Sequence, residues 1–393
     1  MHMRLITPLA FALPALALAL AAHTLAAQPA SFVYRLGKDT VAIEQYTRTA
    51  TSLTGEMVQR TGGAVARFVY TMELGRDGRP VSATMRRFLG DGTVPPNAPT
   101  ETRFRITGDS VVREAAWGDS VQRRAFPAAK AMVNFPTFIY GPTELLARTR
   151  RSGGSVDSLP ALGIGGNLGS TGFVPADANS ARLKGGAYAM LLQFDGSDRL
   201  LSVDGSGTTN KVMAARGGGG LDLAAIARVM TPTGTLSVRD VARGAFGAGG
   251  MVLVDYGRPQ VRDRTVWGGT LVPFDSVWRA GANDATHLFT TRTLALGATG
   301  SATLTLSPGM YTLWVQHTRE GTYLIVNRQT GQWGTQYDAA QDVGRVLMQL
   351  GAAPGFVEEL TFAVRTTGPG RGALDLTWGP TVATVPFTAT VAR

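Results

Sequence analysis

Apolar and polar residues alternate with a period of two through most of this chain. "SFVYRLGKDTVAIEQYTRTA" and "AVARFVYTMELGRDGRPVSATMRRF" read as amphipathic strands, the second folded back at a hairpin turn over residues 75–80. "TRFRITGDSVVREAAWGDSVQRRAF" carries GDSV at 108 and again at 118, the mark of a meander rather than of a repeat array. "PTELLARTRR" (142–151) is a short helix candidate, with Pro at its start and glycines just beyond its end. Hairpin grammar then resumes, with turns at Asp195-Gly196 and Asp204-Gly205. The pattern predicts one antiparallel, sheet-rich domain over residues 31–230, α+β with a minor helical part and half-barrel-like.

The character changes near "ARGGGGLDLAAIARVM", where four glycines precede a short helical patch, and a linker is expected over 231–250. From 251 to 393 short alternating segments such as "MYTLWVQ", "TYLIVN", "EELTFAV" and "ALDLTW" follow one another at close spacing. They predict a β-sandwich or jelly-roll-like domain, since helix-period stretches are nearly absent. The chain is thus mainly β and long enough, at 393 residues, for two domains that each bury a core.

Composition adds a compartment. Arg4, the apolar run "LITPLAFALPALALALAA" and the small residues of "HTLAAQPA" read as a signal peptide over residues 1–27, which predicts a periplasmic or secreted protein. Cysteine is absent, so no disulfide, thiolate chemistry or lipobox anchor is expected. The net charge of +10 is uneven: from Met251 onward 11 Arg stand against 10 Asp plus Glu. The excess therefore lies in the N-terminal part, in pairs such as Arg86-Arg87, Arg123-Arg124 and Arg150-Arg151. It reads as a solvated basic face, or as peripheral contact with an anionic envelope surface, and not as a nucleic-acid site, for which no recognition motif exists.

The C-terminal part has a recognisable order of motifs. Tyr256-Gly-Arg-Pro259, Arg264, Trp267-Gly268 and Leu271-Val-Pro273 are followed by Trp278-Arg-x-Gly-Ala-Asn283 and Ala285-Thr286. Gly309-x-Tyr311, Asn327 and Trp333-Gly334 complete the set. Over some 140 residues this resembles domain-of-unknown-function family 2911, found in exported bacterial proteins. Asp284 and Ala280 stand where related sequences often carry a longer carboxylate or a Thr. The resemblance implies a fold and no activity, and it does not reach the N-terminal domain.

Familiar catalytic constellations are missing: there is no G-x-S-x-G elbow, Walker loop or H-E-x-x-H, and "GIGGNLG" (163–169) reads as a glycine loop. Beyond the leader only His287 and His317 remain, and neither is expected to hold a metal; no cofactor is expected either. The chemistry centres on "VWRAGANDATHL". Arg279 is a permanent cation that needs partners if buried: Asp284, backbone carbonyls or a ligand anion. Trp278 suits a core edge or a stacking platform, Gly281 and Asn283 suit positive φ, and Asp284 and Thr286 suit bonds back to the turn. Arg258, Arg262 and Arg264 lie upstream in reach of the same network, and Trp333 joins the groove-or-core tryptophans. The favoured reading is a hydrogen-bond network at a sandwich corner; the competing one is a ligand site built from Arg258, Arg264, Trp278, Arg279, Asn283, Asp284, Thr286 and Trp333. Its natural partner would be carbohydrate or another polar envelope ligand. The chain is expected to be a non-enzymatic binding or structural module of the envelope. The alternatives are a glycan hydrolase pairing Asp284 with Glu320, Glu358 or Glu359, and a lipid carrier using the N-terminal sheet.

Overall fold

The computed structural model describes residues 29–390 except 108, 128–131, 148–155, 186–187, 247–249 and 299. The expected signal peptide and Arg150-Arg151 lie outside the described residues. The alternation seen in the sequence becomes one fifteen-stranded sheet, antiparallel except for a single parallel pair at one end. Eight consecutive strands run from β1 (Ala30–Leu36) to β8 (Ser120–Pro127), and seven more from β9 (Met132–Asn134) to β15 (Met213–Gly218). Each set is an up-and-down meander. They join where β1 pairs antiparallel with β15, from Ala30 opposite Gly218 to Arg35 opposite Met213.

Every second side chain faces inward, as the period requires: Ala66, Phe68, Tyr70 and Met72 of β4 (Val65–Leu74) are all buried. One apolar cluster collects residues of both meanders, including Phe32, Tyr46, Phe104, Phe173 and Phe194. The sheet therefore curls around its own filled core. Each such aromatic contributes about 1.5–3 kcal/mol by burial, and the interior is side chain rather than lumen.

Two carboxylates that alternation hides are bolted into this core. Glu44 lies on β2 (Asp39–Arg48), fully buried, where it accepts hydrogen bonds from Tyr34 Oη at 2.9 Å and Tyr70 Oη at 2.7 Å. The backbone N–H groups of Tyr140 and Gly141 complete its shell, each at 3.0 Å. The second is Glu144, also 0% exposed, in the 3-10 helix Gly141–Leu145. It accepts from Tyr46 Oη at 2.7 Å and Leu200 N at 2.8 Å, and it pairs with Arg48, Arg199 and Arg216 at 3.2–3.4 Å. Of the helix expected over 142–151, the described residues form a 3-10 turn, pinned by its own glutamate, that leads to a helical Ala147; the rest lies outside the described residues. The α-helix α1 (Leu223–Val229) is capped by Asp222, which accepts from Ala225 N. Its Leu223 and Ala227 pack on Ile43, Val58 and Val65, on the outer side of the sheet.

The C-terminal domain is a two-sheet sandwich. One sheet runs β16 (Arg239–Phe246), β17 (Gly250–Gly257), β19 (Thr286–Thr290), β22 (Gly309–His317), β23 (Thr322–Asn327), β24 (Asp342–Leu347), with β18 (Val277–Trp278) paired to β22. The other contains β21 (Leu304–Leu306), β20 (Leu294–Leu296), β26 (Arg371–Ala389) and β25 (Gln349–Gly368). Val254, Leu288, Leu313 and Val315 of the first meet Leu360, Phe362, Leu376 and Phe387 of the second in one core. Residues 239–246 correct the linker expected over 231–250. They pair with β17 along their whole length, from Arg239–Gly257 to Phe246–Gly250, because they too alternate and have an open edge beside them.

Candidate binding site between the two domains

The motif around Arg279 folds as the re-entrant turn its residues suggest. It leaves β18 and returns as β19. Asn283 has φ 61°, as its side chain favours, but the second left-handed residue is Ala280 at φ 49° rather than Gly281. Thr286, fully buried, donates from Oγ1 to the carbonyl of Ala280 at 3.0 Å and so closes the turn. Two motif glycines explain themselves by close approach. A Cβ on Gly257 would stand 2.4 Å from the Ala282 carbonyl oxygen, and one on Gly334 would stand 2.1 Å from Cδ of Arg279. Gly334 also donates its N–H to Asn283 O at 3.0 Å. The turn is wedged between these two backbones, and Gly334 leaves the channel through which the Arg279 stem passes.

Trp278 is the core-edge member: 8% exposed, it stacks on Trp378 with ring centroids 5.5 Å apart. The two indoles also form one wall of a pocket of about 150 Å³ at the junction of the domains, which Arg279 lines beside them. The same pocket gathers Arg262, Arg264, Asn283 and, from the N-terminal domain, Asn210 and Lys211. Beyond Lys211 and Arg264 it adjoins a groove of about 870 Å³, lined by Val33, Arg35, Asp204, Met213 and Ala215 on one side and Thr265 and Thr270 on the other. The junction is held by specific contacts. Arg262 pairs with Asp39, Lys38 pairs with Asp263 at 3.5 Å, and Lys211 Nζ donates to Thr270 O at 2.8 Å and Ser206 O at 3.0 Å.

Electrostatically the pocket is unbalanced. Arg264 uses Nε on Val261 O and one terminal nitrogen on Gln260 O. Burial pushes it down to about 10, and Arg262 adds to the effect. Burial alone pushes Arg279 down to about 10. Among the described residues its guanidinium has no hydrogen bond or ion pair, and its Nε is shut off from water. Lys211 is pushed down to about 8, first by burial and then by Arg279 and Arg264. All three remain cations at neutral pH.

Other sequence candidates lie elsewhere. Asp284 does not meet Arg279; it is 55% exposed by side chain and sits 3.9 Å from Arg239. Arg258 turns to Asp240 and Glu359, at 3.4 and 3.3 Å. Trp333 is 37% exposed, bridges its backbone to that of Asp284 and does not line the pocket. Glu358 accepts the backbone N–H of Arg262, Glu359 faces Gln260, and Glu320 lies in the turn between β22 and β23. His287 accepts from Gly331 N at 3.0 Å, and burial pushes its pKa below the ordinary value. Lys211 was missed. Its loop, "DGSGTTNK", announces only a turn, and nothing in the sequence places that turn against residues 59 positions further on.

No curated protein matches the chain. Among solved structures, a DUF1089 family protein from Pseudomonas aeruginosa aligns over 42% of this chain and 90% of its own, at 13% identity and a TM-score of 0.32. Kievitone hydratase from Nectria haematococca aligns over 93% and 90%, at 9% identity and a TM-score of 0.11. Likenesses of this size carry no argument. The C-terminal motifs carry more: residues 238–387, the sandwich and its Arg279 turn, match the model of a protein family of unknown function, DUF2911.

Proposed function

We propose that this is a non-enzymatic ligand-binding protein of the cell envelope, periplasmic or secreted, whose ligand is an acidic molecule seated between its two domains on Arg279. One observation carries the reading: a half-buried guanidinium whose Nε is shut off from water and unpartnered, and whose charge meets no carboxylate ion pair among the described residues. A charge withdrawn from water without a counter-charge costs free energy, and native proteins retain such costs at functional sites. The adjoining groove gives the rest of the ligand room, and six left-handed residues around the junction are a second expense of the same kind. They are Lys211, Ser237, Arg262, Asp263, Ala280 and Asn283, with φ between 47° and 61°. The filled core of the N-terminal sheet supports a site on its outside rather than carriage of a lipid within it.

The test is Arg279→Met, melted with and without acidic ligands. Without ligand the variant melts about 2–4 °C higher than the native protein, because an unanswered charge has gone. The native protein gains stability from polyanionic glycan fragments or phosphate esters, and the variant does not. A large drop in melting temperature with no ligand response in either protein would return Arg279 to a purely structural role.

A further inference from the structure

We infer that the acidic group is a divalent oxyanion of the phosphate type, which bridges Lys211 of the N-terminal domain and Arg279 of the C-terminal domain. This rests on the reading just given and narrows its chemistry. The junction and its groove contain Arg35, Lys38, Lys211, Arg262, Arg264 and Arg279 on one side of the charge balance and Asp39, Asp204, Asp263 and Glu358 on the other, an excess of two positive charges. Asp263 pairs with Lys38 and Asp39 with Arg262. Glu358 takes the Arg262 N–H and acts through space on Arg264. Lys211 and Arg279 are left over. Both line the same pocket, and among the described residues neither has a carboxylate within ion-pair distance. A monoanion would answer one of them and leave the other buried. A dianion answers both.

The donors fit the same group. Lys211 spends two of its three N–H bonds on Thr270 O and Ser206 O, leaving one. Arg279 has its two terminal nitrogens free for the paired bonds that guanidinium makes to phosphate oxygens. Arg264 keeps one terminal nitrogen, since Nε and its neighbour are engaged on carbonyls. Donors therefore converge from two domains on several oxygens, as a tetrahedral anion offers and a planar carboxylate does not. The pocket of about 150 Å³ holds such a headgroup and little more, whereas the groove beyond continues along Val33, Met213 and Ala215. An ester substituent would leave in that direction.

The experiment titrates the whole chain at pH 7 with inorganic phosphate, glycerol 3-phosphate, acetate and monomeric dihexanoyl phosphatidic acid, by calorimetry and thermal shift. Phosphate and its esters bind, and acetate binds at least about tenfold more weakly. Lys211→Gln lowers phosphate affinity about tenfold and leaves acetate unchanged, and Lys211→Arg restores it. Arg279→Gln abolishes both. Ligand-free melts of each variant establish that it is folded. Tighter binding of phosphatidic acid than of phosphate, lost in Met213→Asp, identifies a lipid headgroup as the source; equal binding identifies a soluble phosphate. Acetate binding the native protein as well as phosphate overturns the dianion and leaves the acidic-ligand reading standing. Acidic ligands that bind Arg279→Gln as they bind the native protein overturn both.

Discussion

Arg279 and Lys211 pose one problem, two half-buried cations lining one pocket, and the solution leaves a signature in pH. A lysine whose folded pKa is about 8, against an ordinary 10.5, binds fewer protons in the folded than in the unfolded chain between those values. Stability therefore rises with pH across that window, and the penalty is fully present below about 8. The groups facing Lys211 are Arg264 and Arg279, with Asp204 further along the groove wall. Denaturant melts of the ligand-free protein at pH 7.5 and 9.5 should show this gain, and Lys211→Met should lose it. A flat profile in both would mean that Lys211 is solvated and not part of a charged pocket. Phosphate affinity should move the opposite way, falling as Lys211 deprotonates. At this scale the sequence was readable where chemistry is local. Trp278, Arg279, Asn283 and Thr286 lie within nine positions, and the turn they build follows from their own stereochemistry. Asp284 misled because adjacency in sequence suggested an ion pair that the turn points away from. Lys211 was unreadable because its role depends on a domain packed against it.

Strands reward the same reading, and buried carboxylates defeat it. The hairpins at 75–80 and 195–199 follow from Asp and Gly at their turns, with Asp195 accepting from Ser197 N and Arg199 N. Glu44 and Glu144 would be placed outside by any hydropathy pattern, since a buried glutamate is admissible only when distant donors supply its shell. Those donors come from residues up to 98 positions away, such as Tyr46 for Glu144. Their consequence is mechanical. Glu144 fixes the segment Gly141–Leu145 to β2, to Leu200 and to Arg216 on β15, so it staples both meanders. Removing it strands three guanidinium groups and a tyrosine hydroxyl. Glu144→Ala should cost roughly 3–5 kcal/mol of unfolding free energy, read from urea melts, and should expose the Gly141–Leu145 turn to hydrogen exchange. A change below about 0.5 kcal/mol would show that the staple is redundant.

For the whole molecule, two domains with separate cores share a junction that includes three ion-paired or carbonyl-bound cations. Such a junction lets the domains melt independently. A ligand held by one residue from each would couple them. Scanning calorimetry should give two transitions for the free protein, and a phosphate ester at about 100 times its Kd should add about 2.7 kcal/mol to both and draw them together. A shift confined to the C-terminal transition would place the ligand on the sandwich alone. The mainly β, antiparallel character of both the N- and C-terminal regions was legible from strand spacing. The start of the sandwich at Arg239 was not, because glycine-rich residues on either side resemble a linker whether or not a strand runs between them.

The pairing of β1 with β15 also sets a timetable. Strands of each meander can zip to their neighbours as soon as they are made, but β1 lies in the middle of the finished sheet, and its second edge waits for Met213–Gly218. The first strand among the described residues is completed almost last, and until then it presents an unsatisfied row of backbone donors and acceptors. The N-terminal domain therefore cannot complete its sheet strand by strand from its N-terminal end. It closes in one late event, and during the interval before that its most vulnerable surface is the strand at its own beginning.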